Sequence, residues 1–474
     1  MDLSLLMDLY ELTMVAGYLR RGIHDEPAVF DLYFRRCPFG GGYAVFAGLD
    51  PALDYLERLR FGHEELGYLR GLGLFDERFL SWLGSLRFTG RVTAVPEGEV
   101  IFPTEPLLSV EAPLAEAQLV ETALLNLINF QTLVATKAAR IVREAGEGSV
   151  VEFGARRAQG PDGAVGASRA ACVGGARSTS NLLAGRRFGI PVSGTQAHSW
   201  VMAFPSELTA FRVYADSFPD QCVLLVDTYD TLRSGIPNAI AVGRELRAGG
   251  HELRGIRLDS GDLAYLSKEA RRMLDEAGFP QVKIVASNEL DEHVIESIRQ
   301  EGGRVDVYGV GTHLAAPAGD AGGSLGGVYK LVEIDGQPRI KVSSDRAKST
   351  LPGRKRLWRV LRDGRFEMDV VSAGDESPVP GAPVLDPMNP LRRTTIPRPA
   401  RLEELRSVVM ERGERTVPTR ALTNLADYAE QRLTRLPEGC LRLLNPHVYR
   451  VAMTLRLHET RERMIQEVTR EVAR

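Results

Sequence analysis

The sequence predicts an α/β protein whose parallel sheet carries a polar pocket at the C-terminal ends of its strands. Three observations predict it. Short apolar strands alternate with helix-compatible stretches between residues 149 and 313, the rhythm of a parallel sheet. Strand after strand in that series stops at charged, hydroxyl or glycine residues. The sharpest case is Gly255-Ile-Arg-Leu-Asp-Ser-Gly-Asp-Leu263: an apolar run ends in Arg257, Asp259 and Ser260, and Gly261 and Asp262 then open a helix. Charge at the end of a buried strand is costly unless it meets a partner or a ligand.

The bulk properties set the frame. A chain of 474 residues suggests two or three domains, and 44% hydrophobic residues are ample for a sizeable core. A formal net charge of −3 argues against a chain built mainly to hold nucleic acid or an anionic membrane. The cations are mostly arginine, which follows from composition but also suits planar carboxylates and phosphates. Cys37, Cys172, Cys222 and Cys440 are scattered, so neither a disulfide scaffold nor a zinc site is expected, and a reduced compartment is the default. Asp2, Asp8 and Glu11 interrupt the apolar N-terminus, against a signal peptide, and no uncharged run is long enough to span a bilayer. A soluble, cytoplasmic protein is expected.

Along the chain, residues 5–20 show helical spacing, Ala28–Phe34 reads as a strand and Cys37-Pro-Phe-Gly-Gly-Gly42 as a turn. Short strands split by prolines fill 87–112, and a helix with Val120, Leu124, Leu127 and Ile128 on its apolar face covers about 115–145. These pieces make an α+β domain over 1–140. The α/β series occupies 141–325, with strands expected at Ser149–Phe153, Ile190–Ser193, Val223–Val226, Leu253–Leu258, Val282–Ala286 and Val305–Tyr308. Such a series fits a barrel or a doubly wound sheet. In a barrel, functional groups gather at the strands' C-terminal face. Strands including a hairpin with an Asp335-Gly336 turn occupy 326–373. Residues 374–400 read as a Pro/Gly-rich linker and 401–474 as a helical region.

The strand-end motifs each admit a bland reading beside a functional one. In Glu152-Phe-Gly-Ala-Arg-Arg-Ala-Gln-Gly-Pro-Asp-Gly163, Arg156 and Arg157 grip an anion or simply pair with Glu152. Phe153 is core or a stacking plate. Ser193-Gly-Thr-Gln-Ala-His-Ser199 offers Thr195 and, at a helix start, His198 as acid, base or phosphoryl acceptor. Asp227 binds a ribose hydroxyl or a metal, or caps the following helix. Arg257 and Asp259 share one side of their strand, because side chains alternate with period two, and form an ion pair or a ligand site. The Ser260-Gly261-Asp262 turn beyond them favours the ligand site. Ala286-Ser-Asn-Glu289, with Asn288, and Tyr308-Gly-Val-Gly-Thr-His313, a late glycine-rich turn of the kind that seats phosphate, complete the set. The basic loop Lys348-Ser-Thr-Leu-Pro-Gly-Arg-Lys-Arg356 is solvated or reaches the phosphates of a nucleotide.

In this order, the motifs resemble nicotinate phosphoribosyltransferase. The resemblance rests on Asp8-Leu-Tyr-Glu-Leu-Thr-Met14, Phe34-Arg-Arg-Cys-Pro-Phe-Gly40, the Glu152–Gly163 segment, Gly194-Thr-Gln-Ala-His-Ser199, Asp227-Thr-Tyr229, Arg257-Leu-Asp-Ser-Gly-Asp262, Gly309-Val-Gly-Thr312 and Leu351-Pro-Gly353. It covers roughly residues 5–370. It implies an irregular TIM-like α/β barrel beside an α/β sandwich-like domain; the helical C-terminal extension lies outside the resemblance. It also implies conversion of nicotinate and phosphoribosyl pyrophosphate to nicotinate mononucleotide and pyrophosphate, coupled to ATP hydrolysis. Mg²⁺, a homodimer with shared active sites, and no nucleic-acid or membrane partner are expected with it.

The resemblance also assigns roles. His198 matches the phosphorylated histidine, and Asp227 and Asp259 match acidic positions near ribose and pyrophosphate. Phe153 matches the aromatic stacked on the pyridine ring, and Tyr10 a tyrosine brought to that ring by the neighbouring subunit. Thr195 and Arg257 match nicotinate contacts, and Arg156 is a further candidate for the substrate's negative groups. Ser260, Gly261, Asn288, Gly309, Gly311 and Thr312 are expected on the phosphate side, and no direct metal ligand is assigned. Two departures stand out: His313 and Ala315-Ala316 follow Thr312 where small hydroxyl residues are expected, and Arg177 follows Gly174-Gly175 where acidic or neutral residues are. The alternatives are a nicotinamide-using relative and a non-catalytic nucleotide sensor.

Overall fold

The computed structural model describes residues 3–317, 323–343 and 350–472. The chain forms two compact units, one of residues 1–133 and 319–474 and one of 134–318.

The 134–318 unit holds the α/β series. Its strands are β1 (Ser149–Glu152), β2 (Ser178–Thr179), β3 (Val223–Leu225), β4 (Gly255–Leu258), β5 (Lys283–Ser287) and β6 (Val307–Val310). They pair in the order β2-β1-β6-β5-β4-β3, all in parallel. The strands are short and, β2 apart, largely apolar because helices cover the sheet, and both faces of such a sheet are buried. The expected strand Ile190–Ser193 is reduced to one parallel bridge, Val192 to Thr179, beyond β2. Strand β2 had no apolar run to reveal it; it forms because its backbone finds an edge.

Backbone pairing does not close this sheet into a ring. Four residues after Val192, the Gln196 carboxamide spans the gap to the opposite edge. With the amide turned so that both of its ends are satisfied, its nitrogen donates to Val223 O at 2.6 Å and its oxygen accepts from Leu225 N at 3.2 Å. A side-chain amide thus stands in for the peptide group of a neighbouring strand, and the sheet is an irregular barrel. Elsewhere in the unit, Glu292 is buried between Lys137 and Arg140, at 2.5 and 2.8 Å, tying its helix Glu292–Gln300 to the long helix Glu121–Ala145.

The other unit contains a seven-stranded antiparallel sheet and a six-stranded sheet. The strand Pro27–Phe34 lies between Leu108–Pro113 and Gly327–Ile334. The Asp335-Gly336 turn is present with both residues at positive φ, although its second strand is only Gln337–Pro338. The regions read as linker and as purely helical need correction. Residues 374–400 contribute the strands Pro383–Leu385 and Arg393–Thr395, and 401–474 contribute Arg401–Glu404, Ser407–Glu411, Glu414–Arg415 and Val451–Thr454 beside two helices. Charged residues such as Arg401, Glu403 and Glu404 suggested helix. These strands are fixed by remote partners instead: Ser407–Glu411 pairs with Arg91–Ala94, some three hundred positions away.

The basic loop is also corrected where it is described; Lys348 and Ser349 lie outside the described residues. Lys355 is buried against Asp31 at 2.8 Å, Arg354 bonds Glu333 at 2.8 Å, and Arg356 bonds Glu404. These cations hold sheets together. Among the described residues, no helix is long and apolar enough to cross a membrane.

The helix Leu9–Arg21 carries Tyr10 on its outer side and Glu11 on its inner side. Glu11 is fully buried and accepts from the backbone and hydroxyl of Thr122. Burial pushes its carboxyl up to about 7, against the pull of those hydrogen bonds. A folded-state value above the unfolded one stabilises the fold at low pH, and that stability fades as pH rises from about 4.5 towards 7. The melting temperature of Glu11→Gln is therefore expected to gain on that of the parent chain between pH 5 and pH 8, and thermal scans across that range check it.

Candidate active site

Arg257, at the end of β4, is the hub of the strand ends. Its Nε donates to Ser287 Oγ at 2.8 Å, Nη1 to Thr195 Oγ1 at 3.0 Å and Nη2 to Asp259 Oδ1 at 2.9 Å. It therefore ties the end of β5 and the 193–197 segment to its own strand. The period-two expectation holds, and the bland ion pair is real, but Arg257 and Asp259 keep 14% and 24% of their side chains exposed. The pair is partly exposed at the strand ends rather than enclosed in a core. Three of the five guanidinium N–H donors are used, leaving one on each terminal nitrogen.

Asp259 is the second node. Ser287 Oγ donates to the same carboxylate oxygen as Arg257, and His198 Nε2 stands 3.5 Å from the other. Burial pushes this carboxyl up, but the Ser287 hydroxyl, the Arg257 guanidinium and the His198 imidazole outweigh it and hold it below the usual range. His198 begins the helix His198–Met202, and its Nδ1 shares a 3.1 Å hydrogen bond with Thr228 Oγ1. Thr228 has no signal of its own in the sequence; its role comes from the fold, which brings it to His198.

Asp227 caps no helix. That role belongs to Asp230, whose side chain accepts from Leu232 N and Arg233 N. Asp227 Oδ2 instead accepts from Asp259 N at 2.8 Å and Ser260 Oγ at 2.6 Å, while its Oδ1 is buried without a partner. Gly261 completes the turn at φ +77°, a conformation suited to glycine.

The β1 end supplies a ring. Phe153 N donates to Val310 O at 2.8 Å, and the Phe153 ring lies over Gly309. A Cβ on Gly309 would come within 2.5 Å of that ring. Arg257 Cζ is 5.6 Å from the ring centroid. Phe153 is neither wholly core nor wholly free. Below it, Glu152 is fully buried and accepts from Gly154 N, Ser168 Oγ at 2.7 Å and Thr179 Oγ1 at 2.5 Å. Glu152 is thus a structural anchor and not the partner of Arg156 or Arg157. Both arginines are exposed on the turn Ala155–Arg157, with no ion pair among the described residues. Ala315 packs so close to Gly154 that a Cβ there would fall 2.3 Å from the Ala315 methyl, which accounts for small residues at both places.

After β5, Asn288 and Glu289 have φ of +87° and +42°. Across from them, beyond Gly309 and Gly311, Thr312 Oγ1 lies 3.4 Å from Glu289 Oε1 and His313 Nε2 lies 3.2 Å from Glu289 Oε2. The strand ends thus join Phe153, Thr195, His198, Asp227, Arg257, Asp259 and Ser260 through direct contacts. Gly309 lies beneath the ring, and Gly311 and Thr312 follow it. Tyr10 belongs to the other unit, where it is 44% exposed. Among the described residues, no cluster of three or more His, Cys, Asp or Glu side chains is arranged around a metal.

An aromatic plate, a guanidinium with unused donors, two linked aspartates and a histidine at the strand ends of an irregular barrel define an α/β enzyme for flat, anionic substrates. Comparison with known proteins identifies which one. Three family models match in succession: the nicotinate phosphoribosyltransferase N-terminal domain at 5–129, the nicotinate phosphoribosyltransferase family at 149–369 and the C-terminal domain at 354–461. The chain is 44% identical to the nicotinate phosphoribosyltransferase of Bacillus subtilis, covering 99% of this chain and 98% of that one. It is 38% identical to the human nicotinate phosphoribosyltransferase over 96% of this chain and 95% of the relative. The crystal structure of human nicotinic acid phosphoribosyltransferase superposes with a TM-score of 0.86, 35% identity, and 96% and 99% coverage. A Pyrococcus furiosus nicotinate-nucleotide pyrophosphorylase shares the fold, with a TM-score of 0.72 at 23% identity over 92% of this chain and 96% of that one. The chain belongs to the nicotinate phosphoribosyltransferase family.

Seating the plate on a glycine gives a direct test. Gly309→Ala is expected to displace Phe153 and raise the KM for the aromatic substrate about tenfold or more, with little change in melting temperature. Steady-state kinetics alongside a thermal melt check this.

Proposed function

We propose that the chain joins nicotinate to phosphoribosyl pyrophosphate, giving nicotinate mononucleotide and pyrophosphate for NAD salvage, with ATP hydrolysis coupled through a phosphohistidine at His198. The observation that carries the reading is the arrangement of Phe153, Arg257 and Thr195. A flat ring fits against Phe153, and the free donors of Arg257 suit a carboxylate beside it. Arg156 adds positive charge at the same strand end. A nicotinamide amide would need an acceptor there.

The pyridine nitrogen is a weak nucleophile, so the plate contributes position rather than activation. As its electron pair bonds to the ribose anomeric carbon, the bond to pyrophosphate breaks and the ribose gains cationic character. The Asp259 carboxylate, held ionised by Arg257 and Ser287, and Asp227 beside it stabilise that charge. The partnerless Oδ1 of Asp227 suits a ribose hydroxyl or a hard cation. Mg²⁺ would be held through the partnerless Asp227 Oδ1, and bound there it would supply charge neutralisation for the departing pyrophosphate. Ser260, Gly261, Asn288, Gly309, Gly311 and Thr312 form the phosphate side. His198, steadied by Thr228, accepts the terminal phosphoryl group of ATP, ADP leaves, and water later cleaves the phosphoimidazole. The added negative charge, about −1.5 to −2 if it titrates like other phosphorylated side chains, pulls on nearby donors.

The homodimer belongs to the same proposal. Leu9, Tyr10 and Met14 are 50%, 44% and 37% exposed on one helix, an apolar patch suited to a second copy that receives Tyr10 at its pyridine site. Four free cysteines fit a reduced, cytoplasmic setting.

His198→Ala is expected to lose both phosphoryl transfer from labelled ATP to the protein and stimulation by ATP, while slow ATP-independent product formation persists. Unchanged ATP consumption by this variant would refute the phosphohistidine. Sharing of sites is tested by co-expressing Tyr10→Ala with Arg257→Ala. Hybrid dimers then contain one intact site, and activity is expected to rise well above either variant alone.

A further inference from the structure

The turn after β5 contains the only two consecutive non-glycine residues at positive φ among the described residues, Asn288 at +87° and Glu289 at +42°. A tight turn with two such positions normally takes Asn followed by Gly, because a side chain is poorly tolerated at the second. Asn288 meets that rule and Glu289 breaks it. Strained backbone of this kind persists where the surroundings enforce it, and it gathers at functional sites.

The side chain shows what the strain secures. One Glu289 oxygen faces the Thr312 hydroxyl at 3.4 Å and the other faces His313 Nε2 at 3.2 Å. Thr312 and His313 are the first residues after the Gly309-Val-Gly311 turn at the end of β6. β5 and β6 pair side by side, so the carboxylate bridges the ends of two adjacent strands. His313 is also where the chain departs from the small hydroxyl residue expected after Thr312. Here the departing residue gives the carboxylate a second partner.

We propose that Glu289 is a positioning residue that holds Thr312 and the Gly309–Thr312 turn in the conformation that receives a phosphate group of phosphoribosyl pyrophosphate. This rests on the assignment of that turn to the phosphate side. Glu289 touches no reacting atom; it acts through Thr312, with His313 as its counterweight. Its loss therefore weakens the capture of phosphoribosyl pyrophosphate and leaves the pyridine plate alone.

Glu289→Gly separates strain from function, because it removes the carboxylate and suits the backbone. The expected result is a KM for phosphoribosyl pyrophosphate raised about tenfold, with the KM for nicotinate and kcat changed less than twofold and a melting temperature equal to or above that of the parent. Glu289→Gln, which keeps an acceptor for Thr312, is expected to recover much of the loss, and Glu289→Ala, which removes both contacts and is expected to raise the same KM, is the second reading should the glycine variant fold poorly. Thr312→Ala is measured in parallel. If Thr312→Ala raises the KM for phosphoribosyl pyrophosphate and Glu289→Gly does not, the positioning role is wrong and the phosphate-side assignment stands. If neither variant moves it, both fail.

Discussion

The site is organised by the ion pair between Arg257 and Asp259. Two charges two residues apart at the end of one short strand face the same way, and with only 14% and 24% of their side chains exposed they bear a desolvation cost that their mutual attraction and the surrounding hydroxyls offset. What makes the pair more than self-satisfying is the way it is shared. Ser287 contacts both charges, Thr195 takes one arginine nitrogen, and His198 faces the far carboxylate oxygen. A charged pair that also orders its neighbours fixes β4, β5 and the 193–198 segment in one geometry. Removal of either charge would strand the other together with the hydroxyls aimed at it.

The hydroxyls give this arrangement its capacity to respond. Thr195, Thr228, Ser260 and Ser287 each bond a charged or ionisable group of the site. A hydroxyl both donates and accepts, and it rotates to suit. When a substrate carboxylate takes the unused Arg257 donors, such groups can redirect their protons without moving the backbone. Rigid charges joined by rotatable hydroxyls therefore suit a site that meets several anions in turn.

Much of the site was legible in the sequence because strand ends announce themselves. Arg257, Asp259 and Ser260 break an apolar run, and period two puts the first two on one face. Residues whose role comes from distant pairing were not legible. Gln196 looks like any polar loop residue until the edges of β2 and β3 are both in place, and Glu152 looked like a partner for arginine until Ser168 and Thr179 were brought to it. Asp227 and Asp230 are three residues apart, and only the start of the following turn at Thr231 decides which one caps it. The same limit explains the C-terminal third. Ser407–Glu411 and Val451–Thr454 carry too few residues to declare themselves as strands, and their partners lie far away in the chain.

The balance of donors and acceptors bears on which pyridine the site prefers. Around Phe153 the unused groups are donors, on Arg257, Arg156 and Arg157. The acceptors nearby are engaged: one Asp259 oxygen takes two hydrogen bonds and the other faces His198, while both Glu152 oxygens are filled. The free carboxylate oxygen of Asp227 belongs with Ser260, on the side of the ribose and phosphates. A carboxylate entering beside Phe153 completes the arginine's hydrogen bonds. An amide offers its oxygen to the same donors but brings an NH₂ group for which neither Asp259 nor Glu152 keeps a free oxygen. An unsatisfied buried donor is among the stronger sources of discrimination available to a binding site. The engaged oxygens of Asp259 and Glu152 thus support the acid as substrate alongside the charge of Arg257.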